Sequence, residues 1–145
     1  PPRSTLFPYT TLFRSDVKLK LFSQSAACSN PPKLALDEEP TEFSFTGHWI
    51  PNVKDCYAVT AIGDSMENAL IFEGDMLVID CGKEPQPRSI IAAWLNGEIT
   101  IKRLIFEGMR VLLYPENDRY SPIEIKDHDD FRILGVVTSI HRKAE

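Results

Sequence analysis

The chain has 145 residues, 43% hydrophobic and 26% charged, which suits one compact core with an arm rather than two domains. A formal net charge of −5 leaves no strong positive field to hold nucleic acid through its phosphates, so direct DNA binding by this segment is not expected. Cys28, Cys56 and Cys81 are odd in number and form no CxxC pair, and the longest apolar runs, such as "SIIAAWL", fall far short of the roughly 20 residues of a membrane helix; with no readable signal peptide, the expectation is a cytoplasmic protein with free thiols, no zinc site and no membrane anchor.

Along the chain, the opening string "LFPYTTLFRS" (residues 6–15) has neither helical nor strand logic. It resembles the conceptual translation of a common sequencing adapter, so residues 1–15 are set aside as an assembly artefact, and the true start of the gene is expected to lie elsewhere. Residues 16–41, "DVKLKLFSQSAACSNPPKLALDEEPT", hold three prolines and no sustained period, which predicts a flexible, extended N-terminal arm. From residue 42 to 145 short β-rich segments recur: "EFSFTGHWI", "DCYAVTAI", "DMLVID", "SIIAAWL", "EITIKRLIF", "MRVLLYP", "IEI" and "FRILGVVTSIHR". Turn chemistry separates them, and Asn96-Gly97 between two apolar runs is a strong hairpin signal. Only "SMENALIF" has room for a turn or two of helix, starting near Ser65. The fold expected is mostly β, a curled and partly closed sheet.

Serine becomes a nucleophile only when a neighbour takes its proton, and histidine is the usual partner. None of the three here is well placed: His48 precedes the first core strand, His128 lies in the acidic loop "KDHDD", and His141 sits among charges near the C-terminus, so all three read as solvated surface residues. The carboxylates of "DHDD" likewise read as solvated rather than as a metal site, and no cofactor is implied. Lysine can replace histidine where burial strips its charge. An ordinary lysine is roughly 0.1% neutral at pH 7.4, and lowering its pKa by about three units costs around 4 kcal/mol of desolvation. Such a lysine belongs in an apolar strand. Lys102 follows Ile99 and Ile101 in "EITIKRLIF" and shares a face with Thr100 and Leu104, with Arg103 opposite. Taken alone, Lys102 also reads as an exposed edge-strand lysine, and Ser65 in "GDSM" as a turn residue or helix cap.

Together, "GDSM", "EGD", "GEITIKRL", "YSPIEI" and "LGVV" resemble the LexA/UmuD family of serine-lysine self-cleaving proteins, from about residue 21 to the C-terminus. The arm, through "LFSQSAACSNPP", and "YSPI" look most like the UmuD branch, the mutagenesis subunits of error-prone polymerases. The resemblance implies a serine endopeptidase that cuts itself, with Ser65 as nucleophile, Lys102 as general base, and the backbone N–H of Ser65 or Met66 as oxyanion donor. The matching scissile bond is Cys28–Ser29, with Ala27–Cys28 as fallback. Ser29 departs from the expected glycine, Leu70 stands where the family usually has glycine, and Arg88-Ser89 replaces a Gly-Asp turn. The implied setting is the DNA-damage response: a homodimer, stimulated by a RecA filament on single-stranded DNA, whose shortened form joins a Y-family polymerase subunit. The alternative is the C-terminal self-cleavage and dimerisation domain of a LexA-type transcriptional repressor, its DNA-binding domain encoded upstream. A signal peptidase shares the chemistry but needs a membrane anchor.

Overall fold

The computed structural model describes residues 18–21, 39 and 41–145. The chain divides into two units, residues 1–51 and 52–145. In the first, β1 (Lys18–Leu21) pairs antiparallel with β2 (Thr41–Ser44), Leu19 opposite Phe43. The segment "EFSFTGHWI", expected to be strand throughout, turns after Ser44 into the short helix α1 (Phe45–Trp49). Ser44 is the reason: in extended conformation it caps the helix, its side chain accepting a hydrogen bond from the Gly47 N–H at 2.9 Å. His48 stacks between Phe43 and Trp49, with ring centroids 5.2 and 4.9 Å away.

The second unit is an open, wholly antiparallel sheet of seven strands: β3 (Cys56–Thr60), β4 (Met76–Asp80), β5 (Ile90–Leu95), β6 (Glu98–Glu107), β7 (Arg110–Tyr114), β8 (Ile123–Glu124) and β9 (Phe131–His141). Their spatial order is β3-β4-β9-β5-β6-β7-β8, so the last strand is inserted between β4 and β5. The fold is mostly β, as expected. The Asn-Gly hairpin forms where the sequence puts it: Leu95 pairs with Glu98, and Asn96 and Gly97 both take positive φ (49° and 96°), the conformation a two-residue turn needs.

The central strands are buried on both faces, which is why "MLVID" and "IIAAWL" are continuous apolar runs rather than alternating ones. On one face Leu77, Ile79 and Ala92 pack with Ala61, Met66 and Ile71 from the β3–β4 connection; on the other, Ile91, Ala93, Leu104 and Leu113 pack together. β9 bulges against β4 near Val78 and against β5 near Ala92. Between the bulges sits Gly135, where an added Cβ would lie 2.7 Å from Ile79 Cγ2 and 2.8 Å from the Asp80 carbonyl oxygen, so no side chain fits. Among the described residues no helix is long and apolar enough to cross a membrane.

Candidate active site

Ser65 lies in the β3–β4 connection, residues 61–75, whose only regular structure is the 3-10 turn Glu67–Ala69. Cross-bonds close its neck: the Ala61 N–H donates to the Asp75 carbonyl and the Gly74 N–H to the Ala61 carbonyl, at 2.8 and 2.9 Å. Met66, 3% exposed, plugs the loop into the core directly after the serine. Asp75, 2% exposed, is held by Arg142 from beyond the end of β9, and its carboxylate also accepts from the Phe72 N–H at 2.8 Å. That arginine hydrogen-bonds the Leu70 carbonyl at 3.2 Å and lies over the Phe72 ring, 4.7 Å from its centroid. Its hydrogen bond keeps the Asp75 carboxyl below the usual carboxylate range, despite the opposing effect of burial.

The β7–β8 connection braces the loop from its other side. The Glu116 N–H donates to the Ser65 carbonyl and the Glu116 carbonyl accepts from the Asn68 N–H, both at 2.8 Å. Asn117 Nδ2 donates to the Asp64 carbonyl at 2.9 Å, and the Asp64 carboxylate accepts from the Tyr120 hydroxyl and the Arg119 guanidinium. The Tyr120 bond first, then Arg119, holds the Asp64 carboxyl below its ordinary range.

Lys102 reaches the serine from the middle of β6. Its Nζ has three oxygen partners: Ser65 Oγ at 2.9 Å, Thr100 Oγ1 at 3.0 Å and the Ile101 carbonyl at 3.1 Å. Burial lowers its pKa from the usual 10.5, with no further cause. A neutral amine has two N–H bonds and one lone pair; with the N–H bonds on Thr100 and Ile101, the lone pair is left facing the serine hydroxyl. A cleft of about 320 Å³ opens over the pair, bounded by residues 59–63 on one side and 99–102 on the other. Ile62 and Ile99 stand at its mouth, 88% and 53% exposed. Among the described residues neither the Ser65 nor the Met66 N–H donates a hydrogen bond to another group.

The structure thus brings together Ser65, Met66 and Lys102 of the residues singled out in the sequence, while the bond Cys28–Ser29 lies outside the described residues. Thr100, expected only to share a face with Lys102, is also its hydrogen-bond partner. Glu116 and Asn117 read in the sequence as turn residues and Tyr120 opens the "YSPIEI" motif, but nothing there signals the contacts that they and Arg119 make with the serine loop. His48 belongs to the first unit, the His128 side chain is 84% exposed, and His141 shares a hydrogen bond with Ser139 Oγ at 2.9 Å. The solvated reading therefore holds for His128 but not for His141, which β9 draws against its own Ser139. Cys56 is a free thiol; burial, followed by the charges of Asp80, Cys81 and Asp55, pushes it up to about 11, which makes it a poor nucleophile near neutral pH. Among the described residues no cluster of three His, Cys, Asp or Glu side chains is arranged for a metal ion.

A family model described as Peptidase S24-like matches residues 20–138. Similar curated proteins include the LexA repressor of Bordetella avium, 34% identical over 128 residues, 88% of this chain and 59% of that one. Another is the LexA repressor of Clostridium novyi, 31% identical over 112 residues, 77% and 54% of the two chains. A third, from Magnetococcus marinus, is 41% identical over 85 residues, 59% and 37% of the two chains. The chain spans about half the length of the curated relatives it matches.

Proposed function

The chain belongs to the Peptidase S24-like family, and from that premise we propose that it is a conditional self-cleaving serine peptidase in which Ser65 is the nucleophile, Lys102 the general base and the arm bond Cys28–Ser29 the substrate. The observation that carries this reading is the 2.9 Å contact between Lys102 Nζ and Ser65 Oγ, made by a lysine that burial drives toward its neutral form. In the first step the neutral amine takes the Ser65 proton while Oγ attacks the Cys28 carbonyl carbon, and the N–H groups of Ser65 and Met66 receive the oxyanion. The resulting ammonium returns a proton to the departing Ser29 amine as the C–N bond breaks. Water, deprotonated by Lys102, then attacks the Ser65 ester, and the Lys102 ammonium returns that proton to Ser65 Oγ as the Cys28 carboxylate is freed. Tethering supplies a high local concentration of arm, so a weak site suffices.

For the whole protein, we favour the LexA-type reading over the UmuD-like one. Its support is that the similar proteins above are named LexA repressors. The arm residues "LFSQSAACSNPP" speak for the polymerase-subunit reading, and a helix-turn-helix encoded upstream in an uninterrupted gene would decide for the repressor. In both settings the partners proposed are a second copy of the chain and a RecA filament on single-stranded DNA. The filament acts by raising the population of docked arm rather than by adding chemistry.

The test is intact-mass analysis of purified protein held at pH 7 and pH 10, with and without activated RecA. Two fragments are expected, one ending at Cys28 and the other beginning at Ser29, formed faster at pH 10. Ser65→Ala yields none, and Lys102→Arg yields none at either pH because a guanidinium does not lose its proton. Wild-type protein that stays whole under all four conditions, or equal cleavage in Ser65→Ala, would overturn the proposal.

A further inference from the structure

We propose that Glu116 is a positioning residue for the Ser65–Lys102 pair, tying the serine loop to the lysine strand; the inference rests on the function proposed above. Glu116 touches both halves of the site. Its backbone grips the loop at two points, donating to the Ser65 carbonyl and accepting from the Asn68 N–H, each at 2.8 Å. Its carboxylate accepts a hydrogen bond from Arg103 Nε, and Arg103 is the residue after Lys102 on β6, directed to the opposite face. Arg103 is itself braced, donating through Nη1 to the Arg88 carbonyl at 2.7 Å. A closed circuit results, running from the Ser65 carbonyl through Glu116 and Arg103 to the Lys102 backbone and back through Lys102 Nζ to Ser65 Oγ.

Such a tie has work to do because the loop has little regular secondary structure of its own, and a misplacement of about 1 Å can cost 10²-fold in rate. Asn117, Arg119 and Tyr120 also hold the loop, through Asp64 and, for Arg119, Glu67 as well, and these bonds do not reach β6. Only the Glu116 carboxylate links the loop to the strand that carries the base, among these contacts. The side chains of Arg103 and Glu116 are 28% and 30% exposed, so the tie is largely shielded from salt.

Replacing Glu116 by alanine keeps the backbone grip and severs only the link to Arg103. The readout is phosphonylation of Ser65 by a small fluorophosphonate, in which the serine oxygen bonds phosphorus, fluoride leaves and Lys102 takes the proton; no arm docking is involved. Rates are followed by intact mass from pH 7 to 11, alongside thermal unfolding. In the wild type labelling rises with pH to a plateau. Glu116→Ala lowers the plateau by about 10- to 100-fold while the pH midpoint stays where it was. Arg103→Ala does the same, the double variant is no slower than the slower single one, and Glu116→Gln, which keeps an acceptor oxygen, recovers most of the rate. A Glu116→Ala plateau equal to wild type, or additive losses in the double variant, would overturn the positioning role. Should Glu116→Ala lack a cooperative unfolding transition, Arg103→Ala takes its place: a lowered plateau there, with near-normal labelling in Glu116→Gln, supports the tie, and a wild-type plateau in Arg103→Ala overturns it. Wild type that never labels at Ser65 would instead overturn the underlying peptidase reading.

Discussion

Lys102 rides on a hairpin whose strands stay in register from Ile90 opposite Arg103 to Leu95 opposite Glu98, closed by a two-residue turn. Ser65 rides on residues 61–75, a loop with one 3-10 turn, positive φ at Gly63, Leu70 and Gly74, and bonds to the β7–β8 connection and to Arg142. The hairpin is written locally: a continuous apolar run, Asn-Gly and the alternation that follows in "EITIKRL" fix it within a span of 18 residues. The loop is written at a distance, by partners 50 to 70 positions along the chain. Lys102 is therefore held by the backbone of a sheet, and Ser65 by a mixture of backbone and side-chain bonds from distant parts of the chain. Substitutions near Lys102 should chiefly change chemistry, whereas those around Ser65 should change placement and stability together.

The largest effect that would break this contrast is expected at Arg142. Arg142→Ala leaves the buried Asp75 carboxylate without its ion partner and frees the Leu70 carbonyl, so the melting temperature should fall by about 5 °C and self-cleavage should slow with it. The sign with pH follows from Asp75, whose folded pKa is depressed: the stabilisation is present above the unfolded carboxylate value and is lost as pH falls through the folded one. Thermal melts at pH 7 and pH 3 should therefore differ by more in the wild type than in the variant; equal melts at pH 7 would remove Arg142 from the loop's support.

A smaller effect of opposite sign belongs to the strand. Burial lowers the Lys102 pKa below 10.5, so at neutral pH folding desolvates a charged amine. Between the folded value and 10.5 the unfolded chain binds more protons, and stability rises with pH across that window. Lys102→Met should thus be inactive yet more stable at pH 7 by about 1 kcal/mol, an advantage that shrinks toward zero above pH 10.5. Urea denaturation at the two pH values measures it, and an advantage independent of pH would contradict the desolvation account. The smallest effect sharpens the loop side. Leu70, 68% exposed, holds φ 62°, where a Cβ is strained; Leu70→Gly should gain about 0.5 kcal/mol after the extra chain entropy is counted, read as a shift in the urea midpoint.

The same contrast explains what the sequence discloses. Each strand of the seven-stranded sheet lies within an apolar segment recognisable by composition, and the Ser65–Lys102 proximity follows from a resemblance that depends on both motifs. Helix α1 escapes because "EFSFTGHW" is rich in strand-favouring residues, and a single capping serine outweighs them. β1 escapes because "KLKL" is too short for its alternation to stand out from an arm. The bracing of the loop escapes entirely: Arg142 and Asp75 are 67 positions apart, Tyr120 and Asp64 56, and no periodicity connects them.

Gly135 gives this architecture a genetic signature. It sits at the seam of β4 and β9, the strands from whose ends Asp75 and Arg142 engage one another, and has no room for even a methyl group. In a random library sorted for chains that stay intact, position 135 should accumulate hits alongside 65 and 102, although it supplies no reacting atom. Telling the two kinds apart would need only a gentle temperature shift, since a wedged seam is relieved by cooling and a missing hydroxyl is not.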